Sequence, residues 1–270
     1  MSGQLEAKEL LAAGVHFGHQ THKWNPKMKK YIYGEKNGIH IIDLGQTVQL
    51  GRKAYDFLKR TSSSGRPVLF VATKRQASEI VKRAAESCNS YHVTHRWLGG
   101  MLTNFKTIAL SIDKIRKVEK MKENGDFTLL TKKEQSKIEK EVIKLERNLG
   151  GIKDMRKVPG AVVIIDPSNE DIAIKEARKL GIPVVAVTDT NCDPDGIDYV
   201  VPGNDDAIKS ISIFADYFSQ AVMDGAKNYR GDSDTGARDA SLEKEILSKF
   251  EKDIDLANEE DDLKDVKEEE

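Results

Sequence analysis

Three short runs of branched apolar residues, each closed by turn-forming residues, constrain the fold of this chain more than any other feature. Residues 67–73 (PVLFVAT), 161–165 (AVVII) and 183–187 (PVVAV) are of strand length and carry no polar alternation. Runs of this kind belong to buried strands, covered on both faces. The first is bounded by Gly65, Arg66 and Pro67, and residues 75–87 after it place Ala77, Ile80, Val81 and Ala84 at helical spacing. The second leads through Asp166-Pro167-Ser168-Asn169 into a predicted helix over 170–180, with Asn169 as its N-cap and Gly181 as its stop. The third is followed by a loop holding Asn191, Asp193, Pro194, Asp195 and Gly196, a strand near 199–201, and a helix over about 205–227. With a short strand at 91–94 the count is five. Strands that alternate with helices form a parallel sheet with right-handed crossovers and helices on both faces.

One segment breaks that rhythm. Phe105, Ile108, Ile112, Ile115 and Val118 step by three and four, as do Ile138, Val142, Leu145 and Leu149. Asn124-Gly125-Asp126 between them is a turn signal, and Thr131 with Glu134 has the spacing of a capping box. Two amphipathic helices with narrow apolar seams and a short connection make an antiparallel helical hairpin. Its other faces are nearly all Lys and Glu, so it is expected to protrude. The predicted organisation is therefore an α/β domain from 1–104 and 151–230, a coiled-coil insertion at 105–150, and a tail at 231–270.

Charge decides what kind of partner such a domain meets. The whole chain carries a formal net charge of −1, but residues 1–100 hold 16 Lys/Arg against 7 Asp/Glu, while residues 231–270 hold 6 against 16. A basic front of this size suggests a polyanion. The acidic tail has too little apolar surface to offset ordering and is expected to be mobile. No stretch approaches the ~20 apolar residues that span a bilayer, and Glu6, Lys8 and Glu9 interrupt any secretory signal pattern. The two cysteines, Cys88 and Cys192, form no CxxC pair and suit a reducing cytoplasm as small buried residues.

The densest chemistry lies in 14–40, where Lys23, Lys27, Lys29 and Lys30 are interleaved with Trp24, Tyr31 and Tyr33. Lysines neutralise phosphates, and flat rings stack on unpaired bases. The same lysines also suit a solvated face, and Trp24 a core anchor. It is the combination that favours folded RNA. His16, His19 and His22 invite a metal reading. However, the third would be rotated roughly 240° from the first on a helix, and no neighbouring carboxylate or cysteine completes a tetrahedral set. No metal and no cofactor are expected. A second basic cluster, Lys74-Arg75, sits where strand 67–73 meets its helix, at the edge where open parallel sheets gather ligands. A nucleotide enzyme using Lys74, Asp166 and Asp189 is the alternative. Neither GxGxxG nor GxxxxGK followed by Ser or Thr occurs, so no enzyme is expected. The loop His95–Phe105 adds Arg96, Trp97 and Asn104 as a third RNA contact, the alternative being a tight turn with Trp97 packed as the base of the helical hairpin. The stretch 191–196 resembles the start of a calcium loop, but position twelve is Pro202 and not Glu.

These residues also carry a family resemblance. AGVHFGHQTHKWNPKM and YIYGEKNGIHIIDL, then VLFVATKRQA, RWLGGMLTNFKTI, KLERNLGGIKDM and GIPVVAVTDTNCDPDGIDYVVPGNDDAIKSI are similar to the bacterial form of small-subunit ribosomal protein number two, over about 10–230. The resemblance implies a flavodoxin-like five-stranded parallel sheet with a protruding helical hairpin. It implies a cytoplasmic, structural, non-enzymatic part of the small ribosomal subunit near its head–body junction. The partners it implies are small-subunit ribosomal RNA and other ribosomal proteins, including the large multi-domain protein numbered one, with no membrane. The RNA-contact positions carried over are His16, His19, Lys23, Trp24, Asn25, Lys27, Lys29, Lys30, Lys74, Arg75, Arg96 and Asn104. Thr94-His95 departs from the family's small polar pair and leaves the role of His95 open.

Overall fold

The computed structural model describes residues 5–229. The acidic tail at 231–270 lies outside them. A short helix α1 (Ala7–Ala12) is followed by strand β1 (Phe17–Gln20), two 3-10 turns (Thr21–Lys23 and Pro26–Tyr31), and strands β2 (Ile32–Lys36) and β3 (Ile39–Ile42). Both β1 and β2 pair antiparallel with β3 to give a small three-stranded sheet. This sheet is an addition to the sequence expectation. Its hairpin turns on Asn37 and Gly38, whose φ values of 56° and 74° place both in the left-handed region that a two-residue hairpin loop requires.

The remainder runs α2 (Leu44–Ser63), β4 (Val68–Val71), α3 (Arg75–Ser87), β5 (Tyr91–Val93), α4 (Phe105–Glu123), α5 (Lys132–Leu149), β6 (Ala161–Ile165), α6 (Asp171–Lys179), β7 (Val184–Thr188), β8 (Tyr199–Pro202) and α7 (Ile208–Ala226). Five parallel strands form one sheet in the order β5-β4-β6-β7-β8, the flavodoxin-like arrangement. Successive side chains point to opposite faces. Phe70, Val163, Ile165, Val185 and Val187 pack with Ala54 and Leu58 of α2, Ala77 and Val81 of α3, and Phe214 and Phe218 of α7. Their neighbours Leu69, Val71, Val162, Ile164, Val184 and Ala186 pack on the other face with Ala173 and Ala177 of α6, Trp97, and Ile108 and Ile112 of α4. The apolar runs are buried residue by residue because both faces are covered.

Helices α4 and α5 are joined through Gly125 at φ 82° and a 3-10 turn, and α5 opens with the predicted capping box of Thr131 and Glu134. Ion pairs Lys114–Glu141 and Lys122–Glu139 link the two helices side by side. At α6 the structure corrects one detail. The helix begins at Asp171, and Asn169 does not cap it. The Asn169 amide instead donates to Asp166 Oδ2 at 2.7 Å, and Glu170 turns away to accept the Thr73 backbone N–H at 2.7 Å. Helix α7 starts at Ile208 because Asn204 Oδ1 accepts the N–H groups of Asp206 and Ala207, holding 204–207 as a loop.

Candidate nucleic-acid interface

The N-terminal segment crosses the carboxyl edge of the parallel sheet. The Asn25 N–H donates to the Thr190 carbonyl at 2.8 Å, and the His19 N–H donates to Thr190 Oγ1 at 2.9 Å. The Asn204 side-chain amide donates to the Gly14 carbonyl at 3.2 Å. Gly18 is needed for this approach, since a Cβ there would lie 2.6 Å from Thr190 Cγ2. The edge at which open α/β sheets usually hold a ligand is thus covered by the chain's own first strand.

Beneath this cover sits a buried acidic cluster. Asp166, Asp189 and Asp205 end or follow β6, β7 and β8, and each is at most 4% exposed. The Lys74 ammonium lies 2.7 Å from Asp205, 2.5 Å from Asp206 and 3.3 Å from Asp166. Burial alone lowers the ammonium pKa, but hydrogen bonds to Asp205 and Asp206 outweigh it and the pKa is raised. Asp205 is pushed up by burial, then by repulsion from Asp166 and Asp189. Asp166 adopts a left-handed φ of 64°, the kind of backbone strain that persists where surroundings over-determine a residue. His19 bridges the cluster from above. Its Nδ1 is 2.9 Å from Asp189 and its Nε2 is 3.5 Å from Asp206. The contact with Asp189 raises its pKa. Lys74 and His19 thus share Asp206, which joins the first and second basic blocks of the sequence.

Two neighbouring donor sets, His19–Asp189–Asp206 and Asp166–Cys192–Asp205, each bring their ligand atoms within 4.8 Å of one another. No carboxylate lies beside the histidines in sequence to complete such a set. The fold supplies the carboxylates from about 170 residues away.

Of the twelve positions singled out by sequence, six lie exposed at the surface, although Asn104 Oδ1 accepts the Thr107 hydroxyl at 2.9 Å and the Lys30 ammonium lies 4.8 Å from the Tyr31 ring centroid. Lys23, Lys29, Lys30, Arg75, Arg96 and Asn104 are exposed. Three are engaged by carboxylates of the protein itself: His19, Lys74, and Lys27, whose ammonium lies 2.8 Å from Asp193 and 2.6 Å from Asp195. The acidic loop rejected as a calcium site is therefore a lysine clamp. Asn25 Oδ1 accepts the Lys27 N–H and caps the 3-10 turn. Trp24 is half-buried, with its ring 5.0 Å from that of His40. His16 is half-buried, and desolvation lowers its pKa. His95 is exposed and lies 3.5 Å from Arg147 Nε.

The third block is organised by a residue that sequence reasoning missed. Glu176 of α6 is 7% exposed. Its Oε1 accepts Trp97 Nε1–H at 3.1 Å and the Gly100 N–H at 2.7 Å. Its Oε2 accepts the N–H groups of Leu102 and Thr103 at 2.9 and 3.0 Å, and the Thr103 hydroxyl at 3.1 Å. Burial raises the carboxyl pKa, but the Thr103, Trp97, Leu102 and Gly100 hydrogen bonds prevail and lower it. Trp97 packs in the core beside α4, while Arg96 and Asn104 flank this anchored turn at the surface.

Known proteins are similar to this chain in sequence. A family model described as "Ribosomal protein S2" matches residues 10–225. The chain is 55% identical over 222 residues to the "Small ribosomal subunit protein uS2" of Treponema pallidum (strain Nichols), covering 82% of this chain and 76% of that one. It is 53% identical over 228 residues to the protein of the same name from Bdellovibrio bacteriovorus, covering 84% and 73%. The family is one of ribosomal structural proteins and not of enzymes, in keeping with a carboxyl edge filled by the chain's own residues. The chain belongs to the ribosomal protein S2 family.

Proposed function

We propose that the protein is a structural component of the small ribosomal subunit in the cytoplasm, bound to ribosomal RNA through the surface laid across the carboxyl edge of the sheet. The observation that carries this reading is the exposed trio Lys23, Lys29 and Lys30, which pair with no carboxylate among the described residues, beside half-buried Trp24 and exposed Tyr33. Cations there neutralise phosphates and the rings meet bases or riboses. Arg75, Arg96 and Asn104 extend the surface along the same edge. His19, Lys27 and Lys74 act by holding that surface on the sheet, with their charge spent on aspartates. The names of its relatives support the assembly in question.

The second element of the reading is docking, near the head–body junction, of another ribosomal protein, the large multi-domain protein numbered one. Helices α4 and α5 are suited to this role, because Leu110 and Ile143 leave apolar side chains exposed on them. Sedimentation tests both parts. The protein should travel with small subunits at low salt and leave them at high salt, and replacing exposed Leu110 and Ile143 by Lys should spare RNA association while losing the docked protein. Recovery solely in the ribosome-free fraction at low salt would refute the assignment.

A further inference from the structure

The geometry points to a second phosphate-binding site at the opposite end of α2, so that the protein bridges two separate RNA segments held apart by one rigid helix. An open concavity of about 640 Å³ lies there, lined by Lys53, Asp56, Lys59 and Arg60 of α2, by Tyr199 at the start of β8, and by Asn228 after α7. Three cations face one carboxylate. Among the described residues none of the three pairs with an acid, whereas Lys27, Lys74 and the lysines that link α4 and α5 all do. The Tyr199 ring is stacked on Phe57 with centroids 4.3 Å apart and planes 17° from parallel. That contact fixes a half-exposed aromatic beside the three cations, the combination that takes a sugar–phosphate backbone.

The placement follows from the direction of α2. Its first turn holds the N-terminal block, with Gln46 Nε2 donating to the Lys30 carbonyl at 2.7 Å and Thr47 Oγ1 to the Pro202 carbonyl at the carboxyl end of β8. Its last turns reach the amino ends of the strands, where the Arg66 N–H donates to the Thr61 carbonyl. The rise per residue separates Gln46 from Arg60 by roughly 20 Å. That exceeds the Debye length of about 8 Å at physiological salt, so charges at the two ends act independently. Helix α2 is braced along its length by α7. The Tyr55 hydroxyl donates to Asp224 at 2.6 Å, the Ser62 hydroxyl donates to the Val222 carbonyl at 2.8 Å, and Gly225 has no Cβ to strike the Lys59 carbonyl. The spacing between the two sites is therefore fixed by the fold.

This inference rests on the RNA-binding reading, and the test separates them. Full-length protein is titrated with small-subunit ribosomal RNA over a salt series, as wild type, as K53Q/K59Q/R60Q and as K23Q/K29Q/K30Q, with nucleotide protection mapped for each. The α2 triple variant should shallow the log–log salt slope by roughly 2–3, additively with the N-terminal triple variant. Each triple should lose protection at a different RNA segment. R60Q alone should give about a third of the effect, and melts by circular dichroism establish that both variants fold. An unchanged slope in both α2 variants overturns the second site. Loss of the same nucleotides in the two triple variants overturns the bridge. Wild-type protein that binds no RNA overturns the parent reading and this one together.

Discussion

The indole N–H of Trp97 and the carboxylate of Glu176 meet at 3.1 Å inside the protein, 79 residues apart in sequence. Through this contact a strand-end loop and a helix on the sheet's face become one unit. The loop's backbone N–H groups then converge on the same anion.

Glu176→Ala should cost about 3 kcal/mol, since it leaves the Gly100, Leu102 and Thr103 N–H groups and the indole without their charged acceptor. Glu176→Gln should recover part of that loss. Urea unfolding measures both. Amide exchange should speed up at 100–103 before anywhere else in the domain. A loop that stays protected in the Ala variant would mean that packing of Trp97 alone holds it.

The pH response has two limbs of opposite sign. Glu176 has a folded pKa below its unfolded value. Its contribution is present above about 4.5 and is lost as pH falls through the depressed folded value. His19 and Asp205 both have folded pKa values above their unfolded ones. The folded state then holds more protons, and stability declines as pH rises through those values. Melting temperatures should fall as pH rises above about 6.5, the ordinary histidine value, and His19→Gln should flatten that decline. A rise over the same interval would contradict the assignment of an imidazolium between Asp189 and Asp206.

The lysines should divide by their partners. Replacing Lys23, Lys29 and Lys30 by Gln should weaken RNA binding and shallow its salt dependence without changing unfolding. Lys74→Ala should do the reverse. Removing the ammonium strands buried Asp166 and Asp205, at a cost of about 3 kcal/mol, with little change in salt slope. A filter-binding salt series beside a urea titration distinguishes the two outcomes.

Gly18→Ala should destabilise by about 1–3 kcal/mol, because the new methyl overlaps Thr190 Cγ2. Adding Thr190→Ser, which removes that methyl and keeps the hydroxyl that accepts from His19, should restore part of the loss. Failure of the double variant to recover would place the strain elsewhere.

The sheet was legible because its strands are buried on both faces. AVVII at 161–165 admits no other reading, and its flanking glycine and proline mark its ends. The capping box at Thr131 was legible for a similar reason, as both partners lie within one turn. Asn37-Gly38 was an equally local signal, and its hairpin was obscured by the lysines and aromatics that invite a purely functional reading. The site was legible by block and not by role. Lys27 and Lys74 look alike in sequence to Lys29 and Lys30, and Asp193, Asp195 and Asp205, which distinguish them, lie more than 130 residues on. Glu176 gave no signal, since a lone acid on an amphipathic helix reads as solvated surface until the fold turns it inward.

The N-terminal ribbon pairs locally with β3, but its anchor on the parallel sheet comes from much later in the chain, with His19 reaching Thr190 across 171 residues. Synthesis proceeds from the amino end at about 5–20 residues per second. The basic strand therefore emerges tens of seconds at the slow limit before Asp189, Thr190 and Asp206 exist. During that interval Lys27 lacks Asp193 and Asp195, and Lys74 lacks Asp205 and Asp206, so both stand as cations without those partners on an unfinished domain. Closure of the ribbon is a late, long-range step of the slow kind, and with it the nascent protein's strongest general attraction for polyanions narrows to the lysines that the finished fold leaves unpaired.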